Sequence, residues 1–280
     1  MALIPSFFPD CVVAIGSDNP KNGTRIWIAS GFLYGHHISN DEKGENLYQV
    51  YLITNRHVLE GLSRIYLRFN PKTNEPAREY PLVLLKEDKS SIWVSHPDHK
   101  IDIAIIPINF NILNEHAMQV AFFHSDKHAA NIDKLNELGI TEGDFVYVLG
   151  FPMGLVGEQR NTVVVRSWAI ARIRDALAKA NKEFLIDVFV FPGNSGGPVI
   201  SKPEALSIQG TKSQNVAYLI GIVKAYVIYE DKAISLQSGN PIFTFEENSG
   251  LSVVYPIDFI QETIQEHIRN ENNNKNESID

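Results

Sequence analysis

Short apolar runs punctuated by turn residues dominate this chain. Ile26–Ile28, Gln49–Thr54, Ile65–Phe69, Ile101–Ile108, Phe145–Leu149, Thr162–Ile170, Phe184–Phe189, Tyr218–Tyr229 and Leu251–Tyr255 are rich in Val, Ile, Phe and Tyr, the residues that favour strands. Pro20–Gly23, His36–Gly44, Asn70–Pro76, Glu87–Ser91 and Gly193–Gly197 separate them. Many short strands with frequent turns predict an all-β sandwich or barrel. Strict alternation is imperfect, as expected for strands buried on both faces. Three segments carry a helical period. They are His124–Leu138, Asp175–Lys182 and Pro256–Ile268, the last with Phe259, Ile260, Ile264 and Ile268 on one stripe and Asp258 as a cap. The final RNENNNKNESID has little to bury and is expected to be disordered. No short-period repeat is present, which argues against solenoids and propellers.

Length and composition narrow the class. A chain of 280 residues buries about three quarters of its unfolded surface without staples. Apolar residues make up 44% and charged residues 21%, so collagen-like and disordered chains are excluded. Acidic residues outnumber basic ones, 33 to 25, for a formal charge of −8, which argues against a general nucleic-acid binder. The single cysteine, Cys11, forms no internal disulfide. No apolar run approaches 18 residues, so no membrane span is expected. The start, MALIPSFFPDCVVAIG, lacks a basic region and is interrupted by Pro5, Pro9 and Asp10, so no signal peptide is read and a cytoplasmic location is expected.

Chemistry concentrates in three places. Phe191-Pro-Gly-Asn-Ser-Gly-Gly-Pro198 surrounds one hydroxyl, Ser195, with three glycines. Glycine permits positive φ and close backbone approach, so that neighbouring N–H groups can converge on a developing oxyanion. An ordinary Gly-rich hairpin turn is the bland alternative. A serine hydroxyl needs a base. His57, at the end of the apolar run Leu52–Thr54, is the candidate, since His36, His37, His96, His99, His116, His124, His128 and His267 lie in loops, polar contexts or the late helix. The base needs an orienting acid. Asp102, inside Lys100-Ile-Asp-Ile-Ala-Ile-Ile-Pro107, is half-buried on either face of a strand and therefore needs a donor, whereas Asp98 lies in a turn. The G-x-S-x-G elbow of α/β-hydrolases is excluded. Its acid and histidine follow the serine and a helix succeeds it, whereas Pro198-Val-Ile200 continues extended and only His267 lies downstream.

With T-N-R-H-V at 54–58, D-I-A-I at 102–105, G-F-P-M-G at 150–154, P-G-N-S-G-G-P at 192–198 and S-V-V-Y-P-I-D at 252–258, the chain resembles the trypsin-like (chymotrypsin-fold) serine peptidases, most of all the HtrA/Deg and stand-alone trypsin-like peptidase branch. The resemblance covers most of residues 25–268. It implies two six-stranded antiparallel Greek-key barrels, with the active site between them and a C-terminal helix. Residues 1–124 would form the first barrel, 125–143 a linker, 144–268 the second barrel and helix, and 269–280 a tail. It implies a serine endopeptidase with His57, Asp102 and Ser195 as catalytic residues, Gly193 and Ser195 N–H groups as the oxyanion hole, and no metal or organic cofactor. Phe189, Phe191, Ile222 and Val223 are the expected substrate-binding residues. Phe189 stands where trypsin-type members carry a pocket acid, so apolar P1 residues are expected. Asn194 stands where zymogen-activated members carry an acid, so no N-terminal processing is expected and any gate lies in the loop Phe191–Asn194. Arg56, beside His57, is expected to point its charge outward. No serine supporting Asp102 is placed in Ile220–Lys224, and no PDZ domain is expected after residue 268. The expected partner is a protein or peptide substrate, with room for a regulatory protein, and neither nucleic acid nor membrane. Two rival readings are a catalytically silent binding or scaffold protein on the same fold and a metal site at His96, Asp98 and His99 or at His36 and His37.

Overall fold

The computed structural model describes residues 4–204 and 211–277. Its first half contains β1 (Val12–Asp18), β2 (Arg25–Asn40), β3 (Asn46–Thr54), β4 (Arg64–Phe69), β5 (Arg78–Val83), β6 (Val94–Ser95), β7 (Ala104–Pro107) and β8 (Phe123–His124), with short helices α1 (Arg56–Leu59) and α2 (Phe110–Glu115). The strands are hydrogen-bonded in the order β5-β4-β1-β2-β3-β7-β6, antiparallel throughout, and β8 joins β2 in parallel. The two ends of this order meet through the loop between β5 and β6, where Ile92 N–H donates to the Leu84 carbonyl at 2.9 Å. The second half contains α3 (Ile132–Leu138), β9 (Phe145–Gly150), β10 (Val164–Arg172), α4 (Arg174–Leu177), β11 (Phe184–Asp187), β12 (Pro198–Ser201), β13 (Leu219–Ile234), β14 (Pro241–Pro256) and α5 (Ile257–Glu277). Here six strands close into a barrel, β10-β11-β14-β13-β12-β9. The all-β, two-barrel architecture with a C-terminal helix is the one expected from the sequence, with eight strands in the first sheet where six are expected.

The imperfect alternation has a physical source. Along β1, β2 and β3, side chains alternate between two different cores, because successive residues of a strand face opposite sides. Val13, Ile15, Leu33 and Leu52 fill the first barrel, while Val12, Ala14, Phe32, Tyr34, Tyr51 and Ile53 fill a cluster at the seam. From the other side β9 does the same, sending Val146 and Val148 into the second barrel and Tyr147 and Leu149 to the seam. Ile257, Ile260 and Ile264 of α5 complete the seam cluster. With both faces covered, these strands read as apolar runs rather than as an alternating pattern.

Several boundaries differ from the sequence expectation. β1 and β5 are additional strands, and β2 runs far beyond Ile28. Asp102 lies just before β7 rather than inside a strand over Ile101–Ile108, because its carbonyl is taken by the Asn55 side chain instead of a ladder partner. The helix expected over His124–Leu138 covers only Ile132–Leu138, started by the Asn131 side chain, which accepts from Lys134 N–H at 2.9 Å. Asp258 accepts the Ile132 N–H at 3.0 Å and so ties α5 to the first turn of α3. The expected tail from residue 269 is helical as far as Glu277. Arg269 pairs with Glu266 at 2.7 Å and His267 with Glu271 at 3.5 Å, spacings that support a helix. The last three residues of that tail lie outside the described residues. No helix among the described residues is long and apolar enough to cross a membrane.

A polar clasp also joins the halves. Arg68 of β4 is 7% exposed and donates to the carbonyls of Gly157 at 2.9 Å and Glu158 at 3.1 Å. From the same loop, Arg160 donates back to the Pro71 and Glu75 carbonyls, each at 2.9 Å. Removing the Arg68 fork strands two acceptors that only partly regain water. Arg68→Ala is expected to cost about 2 kcal/mol in urea-unfolding stability. A loss below about 0.5 kcal/mol would show that the clasp is dispensable.

Candidate active site between the two barrels

His57 is placed by the end of β3. After Thr54 the chain turns into the single helical turn α1, with Asn55 at its N-cap position. The Asn55 side chain makes no cap bond; its Nδ2 donates to the Asp102 carbonyl at 2.8 Å. His57 then grips the Asp102 carboxylate twice, through its backbone N–H to Oδ1 at 2.9 Å and through ring Nδ1 to Oδ2 at 2.5 Å. A carboxylate accepts only, so the neutral ring carries its proton on Nδ1 and presents a lone pair at Nε2. The ring is 49% exposed and the carboxylate 15% exposed, so the base faces solvent while its anchor is sheltered. Among the described residues no hydroxyl bonds this carboxylate. Lys224, in the segment where no supporting serine is placed, pairs with Glu183 at 2.6 Å and lies over the Tyr255 ring at 5.0 Å. The Arg56 guanidinium is held by the His99 carbonyl at 3.0 Å and by Glu60 at 3.0 Å.

Ser195 is placed by a turn that its own sequence dictates. Phe191-Pro-Gly-Asn194 forms a type II turn, with Asn194 N–H donating to the Phe191 carbonyl at 3.0 Å, proline second and Gly193 third at φ +100°. The Pro192 carbonyl is held by Met153 N–H at 2.6 Å. Gly196 N–H goes to the Val223 carbonyl and Gly197 N–H to that of Asn194. Of the five amides from 193 to 197, those of Gly193 and Ser195 have no partner among the described residues. The loop backbone rests on β2 and on the end of β3, just before His57, since a Cβ on Gly196 would sit 2.1 Å from the Ser30 carbonyl and 2.4 Å from Thr54 Oγ1. No hydrogen bond joins Ser195 Oγ to His57 Nε2 among the described residues. The structure thus gathers two of the three expected catalytic groups into a bonded pair and sets the third, with two free amides, on the adjoining wall.

The expected substrate-facing residues divide. Phe189 and Phe191 are 45% and 36% exposed, with Val188 and Val190 buried between the strands. Ile222 and Val223 are corrected: both side chains are fully buried, one in each core, and Val223 spends its N–H on Gly197 and its carbonyl on Gly196. β12 pairs with β13 only as far as Ile222. Arg166 is a residue the sequence did not single out. Its guanidinium donates to the Phe189 carbonyl and lies 5.1 Å from the Trp168 ring and 5.8 Å from that of Phe191. No motif marks it, since the contact depends on β10 and the 189–191 loop meeting in space.

A family model described as a trypsin-like peptidase domain matches residues 29–205, which span β2 to β12 and include His57, Asp102 and Ser195. The chain belongs to the trypsin-like peptidase domain family. Among solved structures, this trypsin-like peptidase domain is similar to the MamO protease domain from Magnetospirillum magneticum in its apo form, at 17% identity and a TM-score of 0.46, over 91% of this chain and 96% of that one. It is also similar to the HtrA-type protease AlgW with a decapeptide, at 18% identity and a TM-score of 0.48, over 94% of this chain and 66% of that one. No curated protein sequence matches the chain.

Two residues of the rival metal reading are engaged with other groups. His96 accepts the Asp98 N–H at Nδ1 and meets Glu262 at 3.1 Å through Nε2, and Asp98 is drawn to Lys182. No group of three or more metal-ligating side chains occurs among the described residues. The site's dependence on backbone contact gives a direct test. Gly196 has φ +83° and no room for a Cβ, whereas Gly23 has φ +71° with open space around it. Gly23→Ala is expected to cost about 1 kcal/mol, and Gly196→Ala about 3 kcal/mol because overpacking adds to the backbone strain. Equal losses in chemical denaturation would show that the loop does not bear on Ser30 and Thr54.

Proposed function

We propose that this trypsin-like peptidase domain is a serine endopeptidase that cleaves peptide bonds through an acyl-enzyme. The observation that carries this reading is the pairing of a carboxylate-locked His57 with a serine loop whose two unpartnered amides belong to Gly193 and Ser195. In this reading His57 Nε2 takes the Ser195 Oγ proton as Oγ attacks the scissile carbonyl. The carbonyl oxygen, now negative, receives the Gly193 and Ser195 N–H groups. His57, now an imidazolium stabilised by Asp102, passes its proton to the leaving amine, the tetrahedral intermediate collapses to an acyl-serine, and water attacks with the same base. Groups on this chain account for every proton transfer.

The missing bond between Ser195 and His57 favours a second reading, a peptide-binding protein that has kept the site without using it. A fluorophosphonate probe separates the two, because it forms a phosphoryl-serine only where the hydroxyl is activated. Wild-type protein is expected to be labelled at Ser195, and Ser195→Ala to lose both labelling and peptide cleavage. Asp102→Asn is expected to lower kcat by on the order of 10⁴, because an amide favours the wrong histidine tautomer. Asp98, held near pKa about 2 by Lys182 and the Lys100 amide, is outside this pair, so Asp98→Asn is expected to stay within about twofold of wild type. Unlabelled wild-type protein would support the silent-binder reading.

Specificity follows from what lines the rim. Phe189 and Phe191 offer apolar surface, Asp187 is exposed on β11, and the Arg166 cation sits against the Phe189 carbonyl. An ammonium entering beside Phe189 meets the like charge of Arg166 before it can reach Asp187, while an apolar side chain gains about 25 cal/mol per Å² buried. A peptide-library profile is expected to favour Val, Ala or Leu at P1 over Lys or Arg by at least about tenfold. Cleavage after basic residues would contradict this assignment of the pocket.

A further inference from the structure

Ser30 lies in the middle of β2 between Ala29 and Gly31, fully buried, in a run whose neighbours all serve the cores. Every polar atom it has is used. Its N–H donates to the Ser195 carbonyl at 3.0 Å, and its Oγ–H donates to the Gly193 carbonyl at 2.6 Å. The same Oγ accepts the Phe151 N–H at 2.9 Å, and its carbonyl accepts the Thr54 hydroxyl at 3.0 Å. So one first-barrel residue holds the carbonyls of the two residues whose amides are free. It also ties them to Thr54, three residues before His57, and to Phe151, two residues before the Met153 that holds the Pro192 carbonyl.

We propose that Ser30 is a positioning residue for the oxyanion-binding amides, its hydroxyl fixing the 191–195 loop in the conformation that leaves Gly193 and Ser195 N–H free. This rests on the peptidase reading for its catalytic consequence. The surrounding glycines follow from it. A Cβ on Gly150 would fall 2.6 Å from Ser30 Oγ, and one on Gly196 2.1 Å from the Ser30 carbonyl, so both must be bare for Ser30 to reach the loop. With the hydroxyl gone, the Gly193 carbonyl loses its one side-chain donor among the described residues and the Phe151 amide loses its acceptor. The peptide planes between 192 and 195 can then rotate, and the amides are no longer held in register for one oxygen.

The test compares wild type, Ser30→Ala and Ser201→Ala by amide hydrogen exchange and by fluorophosphonate kinetics. Ser201 is an equally buried serine whose Oγ accepts the Tyr218 N–H at 3.0 Å, so it reports the general cost of losing a buried hydroxyl. Ser30→Ala is expected to exchange the Asn194 amide at least about tenfold faster while β9 and β13 stay protected. It is also expected to react with the probe about 10²-fold more slowly, with KM for peptides little changed and kcat reduced. Ser201→Ala should do neither. Ser30→Cys, with a weak S–H donor, is expected to fall between and serves where Ser30→Ala does not fold. Unchanged exchange over 191–196, or faster exchange without slower probe reaction, would overturn the proposal. A wild-type protein inert to the probe would overturn the peptidase reading itself, and exchange alone would then decide whether Ser30 holds the loop.

Discussion

Strands at the seam between the two barrels must bury both faces, and the rest of the architecture depends on that constraint. A strand that feeds its odd residues to one core and its even residues to another has no face left for water. The seam is accordingly a continuous apolar cluster running from Phe8 and Phe32 through Leu149 to Ile264. Burial of this kind resists sliding, because a one-residue shift in register would exchange the two cores. A seam that cannot slide is a suitable base for a site assembled from both sides. His57 stands at the end of β3, Asp102 just before β7, and Ser195 on the turn before β12. Short spans therefore separate each group from a strand that is fixed on both faces.

Polar groups at the seam are few and are placed where the loops need holding. Ser30 and Thr54 are fully buried, and their bonds run to one another and to the serine loop. Asn194 is 2% exposed, and its side-chain Nδ2 has no partner among the described residues. Buried polar atoms are costly unless bonded, so a fully used Ser30 beside an unused Asn194 carboxamide marks the loop as gripped on its first-barrel side. The type II turn supplies the remaining constraint from its own sequence, since proline second and a glycine third that takes positive φ both favour that geometry. The free amides of Gly193 and Ser195 are what these bonds leave over.

Much of this was legible in the sequence, for identifiable reasons. The strand runs, the Pro-Gly turn and the order of histidine, aspartate and serine are local signals, and local signals survive without coordinates. The expectation that a carboxylate in an apolar stretch must find a donor led to the right partner for Asp102, even though its place inside a strand was wrong. What escaped were features made by distant segments meeting. Ser30 looks like any small residue in an apolar run. Ile222 and Val223 look like a rim until β12 and the seam cover them. Arg166 acquires meaning only when β10 meets the 189–191 loop. Asp258 was read as a cap for its own helix and serves α3 instead, a choice fixed by tertiary packing rather than by propensity. β5 was missed because its Arg78-Glu-Tyr-Pro81 start carries no apolar run to mark it.

In the peptidase reading, the two unpartnered amides and the locked histidine act on one and the same reacting centre. A crystal structure of the protein after reaction with a peptide boronate tests this most directly, because the tetrahedral boron reports where the oxyanion sits. The account predicts a covalent bond from Ser195 Oγ to boron. One boronate oxygen should lie within hydrogen-bonding distance of both Gly193 N and Ser195 N, with His57 Nε2 facing the adduct and its Nδ1 still on Asp102. An adduct whose oxygens avoid both amides, or boron bound elsewhere on the chain, would contradict it.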